Sequence, residues 1–299
     1  MDDHRQYLDP AVLAKLQGLG LKARLIVEGY VSGLHKSPFH GYSVEFAEHR
    51  EYTPGDDIRY VDWKVFGKTD RYFLKQYEEE TNFSCWLLLD TSESMTYRSE
   101  RAPLSKLEYA KHVAAALAYL VVQQQDAAGL ATFDTGVSQF VRAAGQPSHL
   151  KQLFHVMEEA QGSGETAVGP ILHELAERIR KRGLVIVLSD LFDDVPSLLA
   201  GLKHFRHRRH DVSVLQIIDP AEQDFPFEDP TLFKGLEGQP DEMADPKALR
   251  QAYRREFEQF LTQVRRGCRD LGMEHVLVRT DQPLDLVLSA FITGRMQRA

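Results

Sequence analysis

From Trp86 onward the chain alternates short unbroken apolar runs with longer stretches in which apolar residues recur every three or four positions. Trp86-Leu87-Leu88-Leu89 is the first such run, closed by Asp90-Thr91-Ser92. A run of that length bounded by polar turn residues predicts a strand buried on both faces. Ala127–Phe133, Leu184–Leu188, Val212–Ile218 and the shorter Val276–Val278 read the same way. Between them, Leu104 to Gln125 carries helical periodicity through Leu107, Ala110, Val113, Ala114, Leu117 and Leu120. Further helices are predicted over 149–160, 168–180, 195–205, 248–271 and 284–292, with Pro170 in a first turn, where proline is tolerated. Asp134-Thr135-Gly136 is a turn signal, which makes Val137–Val141 a short hairpin strand. Strands alternating with helices predict an α/β fold with a doubly wound, mostly parallel sheet.

Two segments break this rhythm. Residues 1–80 hold one predicted helix, Ala11–Leu19, and then aromatic, glycine-punctuated sequence of β character. The segment 221–245 is acidic and rich in proline and glycine, and a connection of that length is usually functional or a flexible insertion. The expected organisation is therefore an N-terminal region over 1–80 and an α/β domain over 82–292 with an insertion at about 221–245.

Composition narrows the function. The formal net charge is −8 over 299 residues, which argues against nucleic acid as a partner. The two cysteines, Cys85 and Cys268, form neither a disulfide framework nor a zinc spacing. Met1-Asp2-Asp3-His4-Arg5 does not read as a signal peptide, and no apolar stretch reaches the length of a bilayer span, so the cytoplasm is the expected compartment. There is no Gly-x-x-x-x-Gly-Lys phosphate loop and no Gly-x-Ser-x-Gly nucleophile elbow.

The candidate chemistry lies where the apolar runs end. Asp90, Ser92 and Ser94 bring one carboxylate and two hydroxyls to the carboxyl end of a strand, the place where open α/β sheets bind ligands. Asp190 ends a second apolar run, and Thr166 follows a glycine-rich loop and precedes a helix. Each of these residues alone also suits a helix cap or turn. Together they form a hard-oxygen set suited to Mg²⁺, with Mn²⁺ or Ca²⁺ as alternatives. Neutral hydroxyl donors leave much of such an ion's charge uncompensated, so it can attract an external anion. Asp193 and Asp194 follow closely and admit a two-metal phosphoesterase site, although acidic residues also favour helix N-termini.

Asp90-x-Ser92-x-Ser94, Thr166 and Asp190, in this order, resemble the metal-ion-dependent adhesion site of von Willebrand factor A domains, over about residues 82–292. The resemblance implies that Ser92, Ser94 and Thr166 supply hydroxyls while Asp90 and Asp190 act directly or through water, and that the domain binds protein partners without catalysis. Upstream, Gly41-Tyr42-Ser43-Val44-Glu45-Phe46 and Arg50-Glu51-Tyr52-Thr53-Pro54-Gly55-Asp56-Asp57-Ile58-Arg59-Tyr60-Val61-Asp62-Trp63 resemble the signature of the domain of unknown function 58 family, bacterial proteins often associated with MoxR-type AAA+ ATPases. The implied function is a metal-dependent protein-interaction adaptor, not an enzyme, working with such an ATPase on a client protein. The rival readings are a metal-dependent phosphoesterase using Asp90, Asp190 and Asp193, and a scaffold whose metal site is vestigial.

Overall fold

The apolar runs lie side by side in the computed structural model of the protein, which describes residues 84–164, 167–236 and 240–296, together with residue 23 and the short segments 48–51, 65–67 and 71–76. The helix expected over 11–19, Thr166, and most of the signature segment 41–63 lie outside the described residues. The chain divides into two compact units, Phe39–Asn82 and the remainder. Within the smaller unit, β1 (Glu48–Glu51) pairs antiparallel with β2 (Phe73–Gln76), and the rings of Phe66 and Tyr72 stack 4.4 Å apart.

In the larger unit the strands are β3 (Ser84–Asp90), β4 (Ala127–Phe133), β5 (Val137–Ala144), β6 (Leu184–Ser189), β7 (Asp211–Ile218) and, after the 221–245 segment, Glu274–Arg279. All seven residues of β3 and all six of β6 are buried, which is what an apolar run without alternation requires. Between and after these strands lie α1 (Lys106–Gln123), α2 (His149–Glu159), α3 (Val168–Arg178), α4 (Val195–His207), α5 (Pro220–Asp224), α6 (Pro246–Asp270) and α7 (Leu284–Met296). The segment 221–245 contributes the end of α5 and an antiparallel hairpin of β8 (Thr231–Phe233) and β9 (Glu242–Ala244), which makes Glu274–Arg279 β10.

The sheet order is β10-β7-β6-β3-β4-β5, parallel throughout except for the β4–β5 hairpin. The expected α/β fold, doubly wound on a mostly parallel sheet, is the fold observed. Because successive strand residues point to opposite faces, the sheet serves two cores. Cys85, Leu87 and Leu89 of β3 face Leu117 of α1, Leu153 of α2 and Leu288 of α7. Trp86 and Leu88 face Leu172 of α3, Leu202 of α4 and Val264 of α6. The chain leaves β3 for β4 on one side and later returns to β6 on the other, with Leu89 in register with Leu188. That reversal opens a crevice at the carboxyl ends of β3 and β6. Among the described residues no helix is long and apolar enough to cross a membrane.

Candidate metal centre at the switch point

Asp90 is the last residue of β3 and is fully buried. Its Oδ1 accepts the Ser92 backbone N–H at 2.9 Å, and its Oδ2 accepts the Ser189 hydroxyl at 2.5 Å. The turn after β3 tightens into a single 3₁₀ turn, Ser94–Thr96, that sets the hydroxyls of Ser92 and Ser94 2.9 Å apart. Thr91 points the other way and donates its hydroxyl to the Phe133 carbonyl.

The glycine-rich loop docks on this turn. Ser163 N–H donates to Thr91 O and Glu93 N–H to Gly164 O, at 3.0 and 3.1 Å. A Cβ at Gly162 would lie 2.0 Å from Thr96 Cγ2 and 3.2 Å from the Ser92 carbonyl oxygen, so a larger residue there would have to displace the exposed Thr96 side chain. The loop thus reaches the Asp90–Ser94 turn two residues before Thr166.

Asp190 follows β6 and is buried. Its Oδ1 accepts the Phe192 backbone N–H at 3.1 Å, and its carbonyl accepts Gln216 Nε2–H at 3.0 Å. The next residue, Leu191, has φ 62°, a left-handed conformation that costs a leucine about 1–2 kcal/mol. It is held there by N–H donation to Ser189 Oγ and by the Asp193 N–H on its own carbonyl. Gln216 uses its Oε1 to accept from His275 Nε2, 2.9 Å away, which fixes the neutral ring with hydrogen on Nε2.

Two side chains that the sequence reading passed over complete the crevice. Lys106, in the first turn of α1, is fully buried and donates from Nζ to Asp190 Oδ2 at 2.7 Å and to Glu222 Oε1 at 2.5 Å. Its ammonium also lies 4.7 Å from the centre of the Phe192 ring, within cation–π range. Glu222 belongs to α5, where it caps the helix reciprocally with Asp219.

Burial, and then repulsion by the Asp190 charge, push the Asp90 carboxyl up to about 7 against the hydrogen bonds from Ser189 and Ser92. Burial works against a charged Lys106, but the Asp190 and Glu222 carboxylates outweigh it and raise its pKa above the ordinary lysine value. Burial raises Glu222 against the pull of Lys106.

The crevice therefore gathers Asp90, Ser92, Ser94 and Asp190, four of the five expected residues; Thr166 is the fifth. The donor set suits a hard cation, and the two serine hydroxyls, hydrogen-bonded to each other at 2.9 Å, stand close enough for one ion to take both. Among the described residues no group of three or more His, Cys, Asp and Glu side chains is placed to hold a metal ion. Any ion here would rest on hydroxyls as much as on carboxylates. Asp193 and Asp194 are engaged in backbone work: Asp193 Oδ2 accepts the Gly169 N–H, and Asp194 caps α4 by accepting the Ser197 N–H.

Beside the crevice, a cavity of about 750 Å³ runs from Ser94 and Lys106 to an aromatic wall of Phe192, Phe225, Phe233 and Tyr253. Phe225 stacks on Phe233 at 5.8 Å and packs on Tyr253 at 4.5 Å, so the β8–β9 hairpin and α6 share one aromatic cluster.

Comparison with known proteins gives a family. The chain is 24% identical over 295 residues to the uncharacterized protein Rv1480 of Mycobacterium tuberculosis, covering 97% of this chain and 92% of that one. The uncharacterized protein Mb1516 of Mycobacterium bovis matches to the same extent. Among solved structures, the conserved hypothetical protein BatB from Bacteroides thetaiotaomicron aligns at 15% identity over 73% of this chain and 100% of that chain, with a TM-score of 0.48. The SpRpn10 VWA domain aligns at 13% identity over 69% of this chain and 93% of that chain, with a TM-score of 0.39. Residues 48–266 match the family described as protein of unknown function DUF58, and the chain belongs to that family.

Proposed function

We propose that this DUF58 protein is a divalent-cation-dependent protein-interaction adaptor in which an ion held by Ser92 and Ser94, with Asp90 and Asp190 beside them, accepts a carboxylate from a partner. The observation that carries the reading is the convergence of two buried serine hydroxyls, hydrogen-bonded to each other, with Asp90 and Asp190 at the switch point. Neutral donors leave an ion short of negative charge, and a partner's Asp or Glu makes up the deficit. When bound, Mg²⁺ supplies the attraction for that carboxylate, with Mn²⁺ or Ca²⁺ able to take the same oxygens. The chain's own residues do the remaining work. Ser189 and the Ser92 N–H orient Asp90, Gln216 and the Leu191 turn hold Asp190, and residues 163 and 164 tie the preceding loop to the Ser92 turn.

An adaptor role also accords with what surrounds the crevice. Asp193 and Asp194, which a two-metal phosphoesterase would draw on, are spent on Gly169 and Ser197. The resemblance to MoxR-associated proteins adds an AAA+ ATPase as the partner that supplies mechanical work, with a client protein as the third component. Affinity capture with the wild-type chain should recover a partner in Mg²⁺ and release it in EDTA, and Asp90→Ala should recover none under either condition. Capture that is indifferent to EDTA and to Asp90→Ala would place the binding surface elsewhere, and phosphoester hydrolysis by the pure chain, abolished by Asp190→Ala, would favour an enzyme.

A further inference from the structure

A lysine ammonium sits on the very carboxylate the ion needs. Lys106 is among the largest fully buried side chains of the protein, and its Nζ lies 2.7 Å from Asp190 Oδ2. Its position is built. Ser105 caps α1 in a reciprocal box with Glu108, and the Lys106 backbone N–H donates to the Tyr97 carbonyl at 3.2 Å, so the root of the side chain is fixed. The second acceptor, Glu222, arrives from 116 positions away and is itself held, its Oε2 accepting the Asp219 N–H at 2.7 Å. A cation in the first turn of a helix is disfavoured by the helix dipole. The two carboxylates, with the Phe192 ring beside them, account for its presence there.

We propose that Lys106 is a resident counter-cation that competes with the divalent ion for Asp190, and so sets how weakly the site binds metal. The inference rests on the metal reading above. Asp190 Oδ2 cannot give its full charge to an ion while the ammonium is on it. An approaching ion also meets the repulsion of that ammonium at short range, in a buried setting where charges are poorly screened. Glu222 is the second seat of the ammonium: when an ion takes Asp190, Lys106 keeps one carboxylate and need not leave the interior uncompensated. Glu222 belongs to α5, which borders the aromatic cavity, so the exchange links ion entry to the wall of that cavity.

The decisive variant is the double substitution Lys106→Met with Glu222→Gln. It removes one positive and one negative charge together, so the net charge of the site is unchanged and any change in affinity reports the release of Asp190. Mg²⁺ titration calorimetry on the full chain should show binding about tenfold or more tighter than wild type. Lys106→Gln, which removes the charge but keeps a hydrogen-bond donor for Asp190, should also tighten binding and serves if the double variant does not fold, as judged by circular dichroism. Folded variants that bind Mg²⁺ no tighter than wild type would overturn the proposal while leaving the metal reading intact. Absence of binding in wild type and in every folded variant would remove the metal reading and this inference with it. Binding that appears only in the variants would support the inference in its strongest form, with Lys106 excluding the ion.

Discussion

A lysine in a helix's first turn opposes the dipole, and Lys106 is held there by Asp190 and Glu222, with the Phe192 ring beside them. That anomaly was the available signal in the sequence, next to two legible capping patterns, Ser105-x-x-Glu108 and Asp219-x-x-Glu222. His275 makes a separate residue-level prediction. Burial, aided by the charge of Arg265, pushes its imidazole down to about 4. The unfolded chain takes up this proton near pH 6.5 and the folded chain only near 4. Stability from this residue is therefore complete above about 6.5 and declines as pH falls toward 4. Urea unfolding at pH 7.5 and pH 5 should show wild type losing about 1–2 kcal/mol more than His275→Gln, which keeps a donor for Gln216; equal losses would mean that the ring titrates normally. Asp90, Ser92, Ser94 and Asp190 were readable because each ends or follows an apolar run. Ser189, Gln216 and Glu222 were not, since their roles come from partners at least 26 positions away.

At the scale of elements, unbroken burial made β3, β6 and β7 legible, and errors fell at the ends. β5 runs on to Ala144, three residues past the expected stop, because Ala144 still pairs with Ala128. α3 ends at Arg178 and not Arg180, since Ile179 is already extended. α6 begins at Pro246, two residues early, because Asp245 caps it and proline takes the first position. The closeness of α3 to α4 was invisible, because it depends on two glycines 32 positions apart meeting in space. A Cβ at Gly201 would lie 2.4 Å from the Gly169 carbonyl oxygen and one at Gly169 2.5 Å from the Ser197 carbonyl oxygen. Gly201→Ala should thus destabilise by about 1–3 kcal/mol through overpacking, seen as a lower urea midpoint at constant slope. A midpoint at or above the wild-type value would show that the two helices can part without cost.

For the whole molecule, the winding of the chain about β3 could be anticipated from strand–helix alternation, whereas the division at Phe39–Asn82 and the β8–β9 hairpin had no periodic signature. An ion bound only by the folded chain stabilises it by mass action, about 2.7 kcal/mol at one hundred times the Kd. Saturating Mg²⁺ should raise the thermal midpoint by about 5–10 °C, EDTA should reverse this, and Asp90→Ala should show no rise; a wild-type midpoint indifferent to Mg²⁺ would count against the adaptor mechanism. The sheet order also has a consequence in time. Both neighbours of β3 come after it in the chain, and the Ser189 hydroxyl that holds Asp90 is 99 positions downstream. At about 5–20 residues per second on the ribosome, β3 waits roughly 5–20 s for β6 to be synthesised. During that interval a strand whose centre is the apolar run Cys85–Leu89 has one edge without its partner, the kind of surface on which nascent chains aggregate or recruit chaperones. A chain truncated before Leu184 would carry Asp90, Ser92, Ser94 and Lys106 but neither Asp190 nor the Ser189 hydroxyl that holds Asp90, so the crevice has no second wall until β6 is made.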